Sequence, residues 1–369
     1  MERKIFIKGI FTIFVLICVI LVSCNYEINN SKIEKIKDVP IIVQIPSYSA
    51  LVDNSIIYLD IKKLTYYRYN IDSDELTIID KTENFYLSTK NTVLMNGKLY
   101  FYVNVVLNED TTSNVLFEIN LSDNKLKKYE NHDDSLAGIL TYKFGNEIIT
   151  LKNIVSDEFI FTYLELFNPV TETWQVENFN TYNKNEKTGE AIHGLYSNDE
   201  NLYVLHDEWL GENNVITTLK IYDNNLNEIQ SLTLDKELYD YITEYRIIEM
   251  AVFGEYVYMI NISNYAALGK IVNNTIIPEI MERNLTLALN QEDTNNPFFY
   301  TRLTKKCYTI DKNREITEVN LKIKNDEYSI RCILANKDNI FLMCYADDKK
   351  DYMYFIDKAY LDSVIIPCE

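Results

Sequence analysis

Two of the three histidines in this chain of 369 residues stand where they could share one chemical task. His193 and His206 flank a turn-forming stretch at residues 198–201, which predicts a hairpin between them. If Ser197 pairs with Leu202 across that hairpin, residue 193 lies directly opposite residue 206, with Cβ atoms ~5 Å apart. Two imidazoles on one face of a sheet are the beginning of a 2-His-plus-carboxylate metal site or of an acid/base pair.

The residues that follow His206 supply further polar and aromatic groups. Asp207 and Glu208 offer carboxylates for such a site, and Trp209 offers a ring that can stack on a sugar or a peptide. The spacing fixes no third ligand, and single histidines between sheets are more often core residues, so a purely structural role is the alternative. A one-residue change in register would place His193 and His206 on opposite faces of the sheet and remove the site.

More acids fall in predicted loops on the same side of the molecule. Asp133 and Asp134 are the first of them, and others occur at residues 109–110, 157–158, 347–348 and 351. Loops of a rigid scaffold often carry binding groups, although loop acids also serve plain solubility. The predicted ligand face therefore comprises His193, His206, Asp207, Glu208, Trp209, Asp133 and Asp134.

An internal repeat supplies the elements that must position these side chains. Turn-forming residues lead into a short apolar run in seven copies. The copies are anchored on Tyr58, Tyr100, Ile149, Tyr203, Tyr258, Phe299 and Phe341. Their mean spacing of about 47 residues is close to that of four-stranded propeller blades.

A second recurring element lies downstream in each copy. Clusters of Asn and Asp, such as residues 70–74, 120–124 and 223–227, separate alternating apolar runs and predict tight outer hairpins. Each copy then contains four strands, and no segment shows a helical period. The sequence predicts an all-β fold, a β-propeller of seven four-stranded blades, with six or eight blades as alternatives.

The N-terminal residues read as a signal peptide. Basic residues precede Ile10–Val22, an uncharged run of thirteen residues that is too short to cross a bilayer core of ~30 Å. Residues Leu21 to Cys24 resemble the lipobox of bacterial lipoproteins, which implies cleavage after residue 23 and acylation of Cys24, for example by palmitate. The alternative is an ordinary secretory signal that ends near a cysteine. We expect a signal peptide at 1–23, a lipidated N-terminus and flexible tether at 24–38, and the propeller at 39–369, on the extracytoplasmic face of the cell membrane.

The whole pattern resembles the bacterial β-propeller lipoproteins. Residues 167–174 are similar to a kelch repeat, but the Gly-Gly pair of such repeats is absent, as is the Trp-Asp dipeptide of WD40 repeats. Either Val39–Ile45 or Asp362–Pro367 is expected to close the ring by pairing with the last blade.

Charge and missing motifs limit the partners. The formal net charge is −19, and −21 without residues 1–23, so nucleic acid is a poor partner. No nucleotide-binding or hydrolase motif occurs, and no cofactor is predicted. Cys307, Cys332, Cys344 and Cys368 are compatible with disulfides, but Cys332 and Cys344 are expected one position out of register across their turn.

These observations favour a binding module anchored at the membrane, whose ligand is an envelope protein, a peptide or a glycan. The rival is an extracellular hydrolase or lyase that uses His193, His206 and nearby acids. A third hypothesis is a sensory or assembly lipoprotein whose ligand is another membrane component. Fold alone does not choose among them.

Overall fold

The computed structural model is built almost entirely of β-strands. It describes residues 33–36, 49–60, 63, 65–81, 85–86, 92–108, 111–130, 137–186, 188–198, 200–210, 215–242, 247–288, 297–301, 304, 306–311, 313–319, 322–323, 329–335, 338–345, 351–358 and 365–366. Within those ranges one helix occurs, α1 (Lys236–Ile242), and none is long and apolar enough to cross a membrane.

The described strands form seven successive antiparallel units, which we call blades 1 to 7. The chain begins with β1 (Ile33–Ile36). Blade 1 contains β2 (Ser49–Val52), β3 (Ser55–Asp60), β4 (Thr65–Asn70) and β5 (Glu75–Lys81). Blade 2 contains β6 (Phe85–Tyr86), β7 (Val93–Met95), β8 (Lys98–Asn108), β9 (Thr111–Asn120) and β10 (Lys125–Glu130). Blade 3 contains β11 (Ala137–Phe144), β12 (Glu147–Val155), β13 (Phe159–Asn168) and β14 (Thr173–Asn183). Blade 4 contains β15 (Thr188–Ser197), β16 (Leu202–Leu210), β17 (Val215–Tyr222) and β18 (Glu228–Leu234).

The remaining blades follow the same order. Blade 5 contains β19 (Ile247–Phe253), β20 (Tyr256–Asn261), β21 (Tyr265–Val272) and β22 (Thr275–Arg283). Blade 6 contains β23 (Leu285–Leu287), β24 (Phe298–Thr301), β25 (Cys307–Ile310) and β26 (Ile316–Val319). Blade 7 contains β28 (Ser329–Ala335), β29 (Asn339–Tyr345) and β30 (Asp351–Asp357), while β27 (Lys322–Ile323) and β31 (Ile365–Ile366) pair separately in parallel.

Tight turns define one face of the propeller. The turns between the first and second strands and between the third and fourth strands use residues with positive φ, including Asn96, Gly97, Asn273 and Asn274. In blades 1, 2, 5 and 7 a backbone hydrogen bond joins the two turns of the same blade, as from Ile71 N to the Asn54 carbonyl at 2.8 Å. We call this side the turn face. The opposite side, where the second strand leads to the third and one blade leads to the next, is the loop face.

Apolar side chains fill the spaces between neighbouring blades. Buried clusters join blades 1 and 2, 2 and 3, 3 and 4, 4 and 5, and 5 and 6. A further cluster packs Tyr58 and Tyr67 of blade 1 against Leu334 and Phe341 of blade 7, so the two ends of the repeat array are in contact. Each fully buried large apolar side chain contributes ~1.5–3 kcal/mol, and stacking blades in a ring covers both faces of every sheet.

The ring closes through a strand that the sequence assigned elsewhere. β1 pairs antiparallel with β30, with Ile33 opposite Ile356, and it becomes the outer strand of blade 7. It lies inside the range 24–38 that was expected to be a flexible tether. The expected closing strand at residues 39–45 falls outside the described residues, and Ile365–Ile366 pairs with β27 instead of with blade 7. Pairing with β1 satisfies the backbone groups that β30 would otherwise expose at its edge.

The β-propeller fold predicted from the repeat is thus confirmed. The described strands make seven units, and the blade number of the complete ring stays a prediction.

The cysteine register is also as expected. Cys332 lies opposite Met343 and Cys344 opposite Ile330, so the two are out of register. Cys307 is buried and is a free thiol.

Candidate ligand-binding face

The histidine pair predicted from the sequence does not form as expected. Ser197 does pair with Leu202, which is the turn register that the prediction required. A β-bulge then follows at His193, so that His206 lies opposite Ile192 and the next pair joins Gly194 to Leu205. The direct opposition of His193 and His206 was therefore wrong, because His193 is itself the extra residue of the bulge and has no direct pairing partner on β16.

The bulge belongs to the fold and is not peculiar to blade 4. The first strands of blades 3, 4, 5 and 7 each contain a register shift, and the extra residues are Ile139, His193, Ile248 and Arg331. All four lie the same number of residues before the centre of the first turn of their blade. A bulge bends a strand and increases its twist, which suits the innermost strand of a blade beside a narrow channel.

His206 is a buried, neutral side chain. It is 2% exposed, and neither imidazole nitrogen has a hydrogen-bond partner among the described residues. Burial, and to a smaller extent the nearby Lys220 ammonium, lower the pKa of His206 to about 4, against the opposing effect of the carboxylates of Asp207, Glu228 and Glu208. At neutral pH the ring is therefore uncharged.

Asp207 lies on the other side of the same strand. Successive side chains alternate between the faces of a strand, so His206 lies on the side of Val204, which packs with blade 3, and Asp207 lies on the side of Leu205, which packs with blade 5. Asp207 is buried and accepts a hydrogen bond from the Thr217 hydroxyl. The two groups therefore cannot bind one ion or one reacting atom together.

The other predicted site residues have separate surroundings. Glu208 is exposed, and Trp209 is partly buried against Tyr182. Asp133 and Asp134 lie outside the described residues, as does the side chain of His193. Among the side chains that are described, no three His, Cys, Asp or Glu come together in a way that could hold a metal ion.

Blades 3 and 4 are joined at the loop face by a continuous sheet that the sequence did not predict. The end of β14 pairs with the start of β15 through Tyr182–Gly189 and Asn183–Thr188. On their other edges, these residues of β14 pair with β13 and these residues of β15 pair with β16, so the four strands form one sheet here. We call residues 159–163, 178–183, 188–190 and 208–210 the ribbon.

Gly189 makes the central contact of the ribbon possible. Its φ is +108°, and an added Cβ would stand 2.4 Å from the carbonyl oxygen of Thr181. Because Gly189 has no side chain, the rings of Tyr182 and Trp209 meet across it with centroids 5.5 Å apart. This backbone geometry is accessible to glycine and costly for other residues.

Aromatic rings also run along the other side of the ribbon. Phe159, Phe161 and Tyr163 alternate along β13, with successive ring centroids 5.7 Å and 6.4 Å apart, and all three are partly exposed. Their neighbours on β14 are small polar residues, including Asn178 and Thr181. Alternating aromatics at the start of β13 are visible in the sequence, but their position at the loop face required the strand register.

Two buried polar atoms of the ribbon make no hydrogen bond with the described residues: Oδ1 of Asn180 and Nε1 of Trp209. Other buried atoms in the described part of the chain share this property, including both nitrogens of His206 and the hydroxyls of Tyr58 and Tyr66 in blade 1. Buried polar groups in folded proteins are nearly always bonded to protein or to water. At the loop-face ends of β14 and β16, Asn180 and Trp209 therefore offer an acceptor and a donor that the described residues do not use.

A buried ion pair of blade 3, which also contacts blade 2, escaped sequence reasoning as well. Lys152 Nζ lies 2.6 Å from Oε1 of Glu165, both side chains are almost completely buried, and the Tyr102 hydroxyl donates to Oε2 of Glu165 at 2.8 Å. Burial and the charge of Glu165 raise the pKa of Tyr102 well above its usual value. Within this group each described charge has a partner, so it is a structural link between blades.

Comparisons with known proteins identify no family for this chain. No protein-family model matches the sequence, and no curated protein matches it. Among solved structures, the chain is similar to the N-terminal domain of Nup159, at 8% identity over 88% of this chain and 95% of that chain, with a TM-score of 0.47. It is also similar to Porphyromonas gingivalis dipeptidyl peptidase 4, at 10% identity over 84% of this chain and 51% of that chain, with a TM-score of 0.46. An acylaminoacyl peptidase gives 10% identity over 74% of this chain and 45% of that chain, with a TM-score of 0.47.

The chain spans about half the length of the two peptidase chains. These neighbours are β-propeller-like proteins, and at such identities and scores they carry no argument about the activity of this chain.

Proposed function

We propose that this protein is an extracytoplasmic lipoprotein, anchored to the cell membrane through acylated Cys24, whose propeller binds an envelope protein, a peptide or a glycan through the loop face of blades 3 and 4. The anchor is supported by the signal-peptide pattern and the lipobox-like residues 21–24. The binding role is supported by the ribbon.

The single observation that carries the binding proposal is the combination of aromatic rings and unsatisfied polar atoms at the ribbon. The partly exposed rings of Tyr182 and Trp209 give stacking area with little loss of side-chain entropy, and Asn180, on the same side of the ribbon, and Trp209 offer an acceptor and a donor. A ligand that covers this side of the ribbon would bury the two rings further and bring its own polar groups close to these atoms. Sugars and peptide segments both present apolar faces beside hydrogen-bonding groups.

A hydrolase or lyase gains no specific support from the described residues. Its predicted centre depended on His193 opposing His206, and the bulge separates them in register. His206 is buried, and Asp207 lies on the other side of the strand. A binding module needs no such set.

The two tryptophans of the chain allow a direct test. Trp209 lies in the ribbon, whereas Trp174 packs on Phe167, with ring centroids 4.5 Å apart, near the turn face. In the full-length protein, Trp174→Phe leaves a single reporter at the proposed site, and Trp209→Phe leaves a matched reporter away from it. Both variants are titrated with peptidoglycan fragments, neutral oligosaccharides and an envelope peptide digest.

We expect one probe class to change the Trp209 emission in a saturable manner and to protect it from acrylamide quenching, with no change at Trp174. The class that acts identifies the ligand. Equal responses from both reporters, or no saturable response to any of the three probes, would contradict a binding site at the ribbon. The His206→Leu substitution is expected to leave binding unchanged, because this side chain is buried in the blade.

A further inference from the structure

The direction of β1 fixes the face of the propeller at which the N-terminal segment enters. Ile33, at the start of β1, lies opposite Ile356, and Ile36, at its end, lies opposite Met353. β30 runs from the loop face to the turn face, since it is the third strand of its blade. Because the pairing is antiparallel, β1 begins at the turn face and runs toward the loop face.

A backbone hydrogen bond confirms the position of this end of β30. The N–H of Lys358, directly after the strand, donates to the carbonyl of Asp338 in the first turn of blade 7 at 2.8 Å. The equivalent bond joins the two turns in blades 1, 2 and 5. Ile33 is therefore beside the turn face, and the chain enters β1 at that side.

The chain between the anchor and β1 is short. Cys24 and Ile33 are separated by nine residue steps, which span at most ~30 Å when fully extended. A flexible segment of this length has a typical end-to-end distance of roughly 15–20 Å. The second strands of blades 1 and 7, which run from the turn face to the loop face, have six and seven residues, so the two faces are roughly 20 Å apart there.

We propose that the membrane lies under the turn face and that the loop face, with the ribbon, points away from the membrane. This inference rests on the proposed acylation of Cys24. It assigns the membrane surface to the turn face and makes the ribbon accessible to molecules outside the membrane. It disfavours the hypothesis that the ligand is a component of the same membrane.

The acids of the turn face beside blade 7 indicate that this part of the surface does not itself bind an anionic membrane. Asp72, Asp74 and Glu75 of blade 1, next to blade 7, are exposed acids on this side, whereas Asp123 of blade 2 is paired with Lys125, with Nζ 3.0 Å from Oδ2. The acids beside blade 7 gain nothing from anionic headgroups, so the anchor and its short tether hold the propeller in place.

Energy transfer to the membrane tests the orientation. A fluorescent non-natural amino acid replaces either Ser73, in the outer turn of blade 1 at the turn face, or Lys63, between the second and third strands of the same blade at the loop face. Both positions are exposed. The full lipidated chain is placed in vesicles of phosphatidylcholine and phosphatidylglycerol that carry a headgroup acceptor with a short transfer distance.

We expect clearly stronger transfer from position 73 than from position 63. Equal transfer, or stronger transfer from position 63, would overturn the proposed orientation while leaving the anchor intact. A Gly-Ser insertion of about ten residues between Ser31 and Lys32 is the matched control, and it is expected to reduce the difference between the two positions. Failure of the anchor itself gives a distinct result: no incorporation of labelled palmitate, or vesicle binding that survives the Cys24→Ala substitution.

Discussion

Replacing His206 with leucine is expected to stabilise the protein, and to do so more strongly as the pH falls. The imidazole is 2% exposed with both nitrogens unpaired. A buried polar group without partners costs ~1–3 kcal/mol relative to a bonded one, and leucine of similar volume has no such group. At pH 7.5 we therefore expect His206→Leu to raise the free energy of unfolding by about 1–2 kcal/mol.

The pH dependence follows from the lowered pKa of His206. The folded value of about 4 lies below the ordinary value of 6.5, so the unfolded chain binds the proton more readily. Stability from this group is complete above pH 6.5 and is lost as the pH falls from 6.5 toward 4. With 1.36 kcal/mol per pKa unit, the wild type loses about 2–3 kcal/mol by pH 4.5, and His206→Leu does not.

Urea unfolding of both proteins at pH 7.5, 6.0 and 4.5 measures the difference. Lys220→Met is an informative second variant, because removing the nearby cation should raise the pKa of His206 and shrink the pH dependence. A difference between wild type and His206→Leu that does not change with pH would refute the lowered pKa. A destabilised His206→Leu variant at pH 7.5 would contradict the expected gain from removing an unbonded buried imidazole.

Three further predictions concern the interior and the ribbon. Glu165→Leu or Lys152→Met alone should cost about 3–5 kcal/mol in urea unfolding, because each leaves one charge buried without its partner. The double variant with both substitutions should cost clearly less than the sum of the two single costs, and additive costs would contradict this. Gly189→Ala should lower the free energy of unfolding more than Gly97→Ala does, because Gly97 also has a positive φ but nothing within 4 Å of an added Cβ. Gly189→Ala should also shift the emission of Trp209. Equal costs and an unchanged spectrum would contradict the close contact at the ribbon. Burial raises the pKa of the Cys307 thiol to about 12, so this residue should resist Ellman's reagent at pH 8 until the protein is unfolded. Mass mapping identifies the labelled residue, and rapid labelling of Cys307 in the native protein would contradict its burial.

The parts of the fold that could be predicted from sequence depend on local chemistry. Asn and Asp tolerate positive φ, so the turns at Asn96, Asn124 and Asn273 were readable from their residue types. Alternating apolar residues then set the strands and the cores between blades. The turn register of blade 4 was correct for the same reason.

The parts that could not be predicted depend on contacts distant in sequence. β1 closes the ring by pairing with β30, more than 300 residues away, and its four residues carry no signal that distinguishes them from a tether. The Lys152–Glu165 pair stands in strands whose apolar neighbours predict only a core. The ribbon depends on two backbone pairs and on Gly189, which no periodicity indicates.

The bulge at His193 shows how a correct local prediction can lead to a wrong site. The turn fixed which residues of β15 and β16 pair near it, but an inner strand beside the channel must also bend. The four blades with this bulge place isoleucine, histidine, isoleucine and arginine at the same position, so the backbone feature does not require a particular side chain. A recurring backbone position with variable residues is what a scaffold provides, whereas the pairing of β14 with β15 at Gly189 is the one place, among the described strands, where the last strand of a blade pairs with the first strand of the next. Function is therefore better sought at the ribbon, where blade 4 differs from the other blades, than at His193, where blade 4 has the same bulge as three other blades.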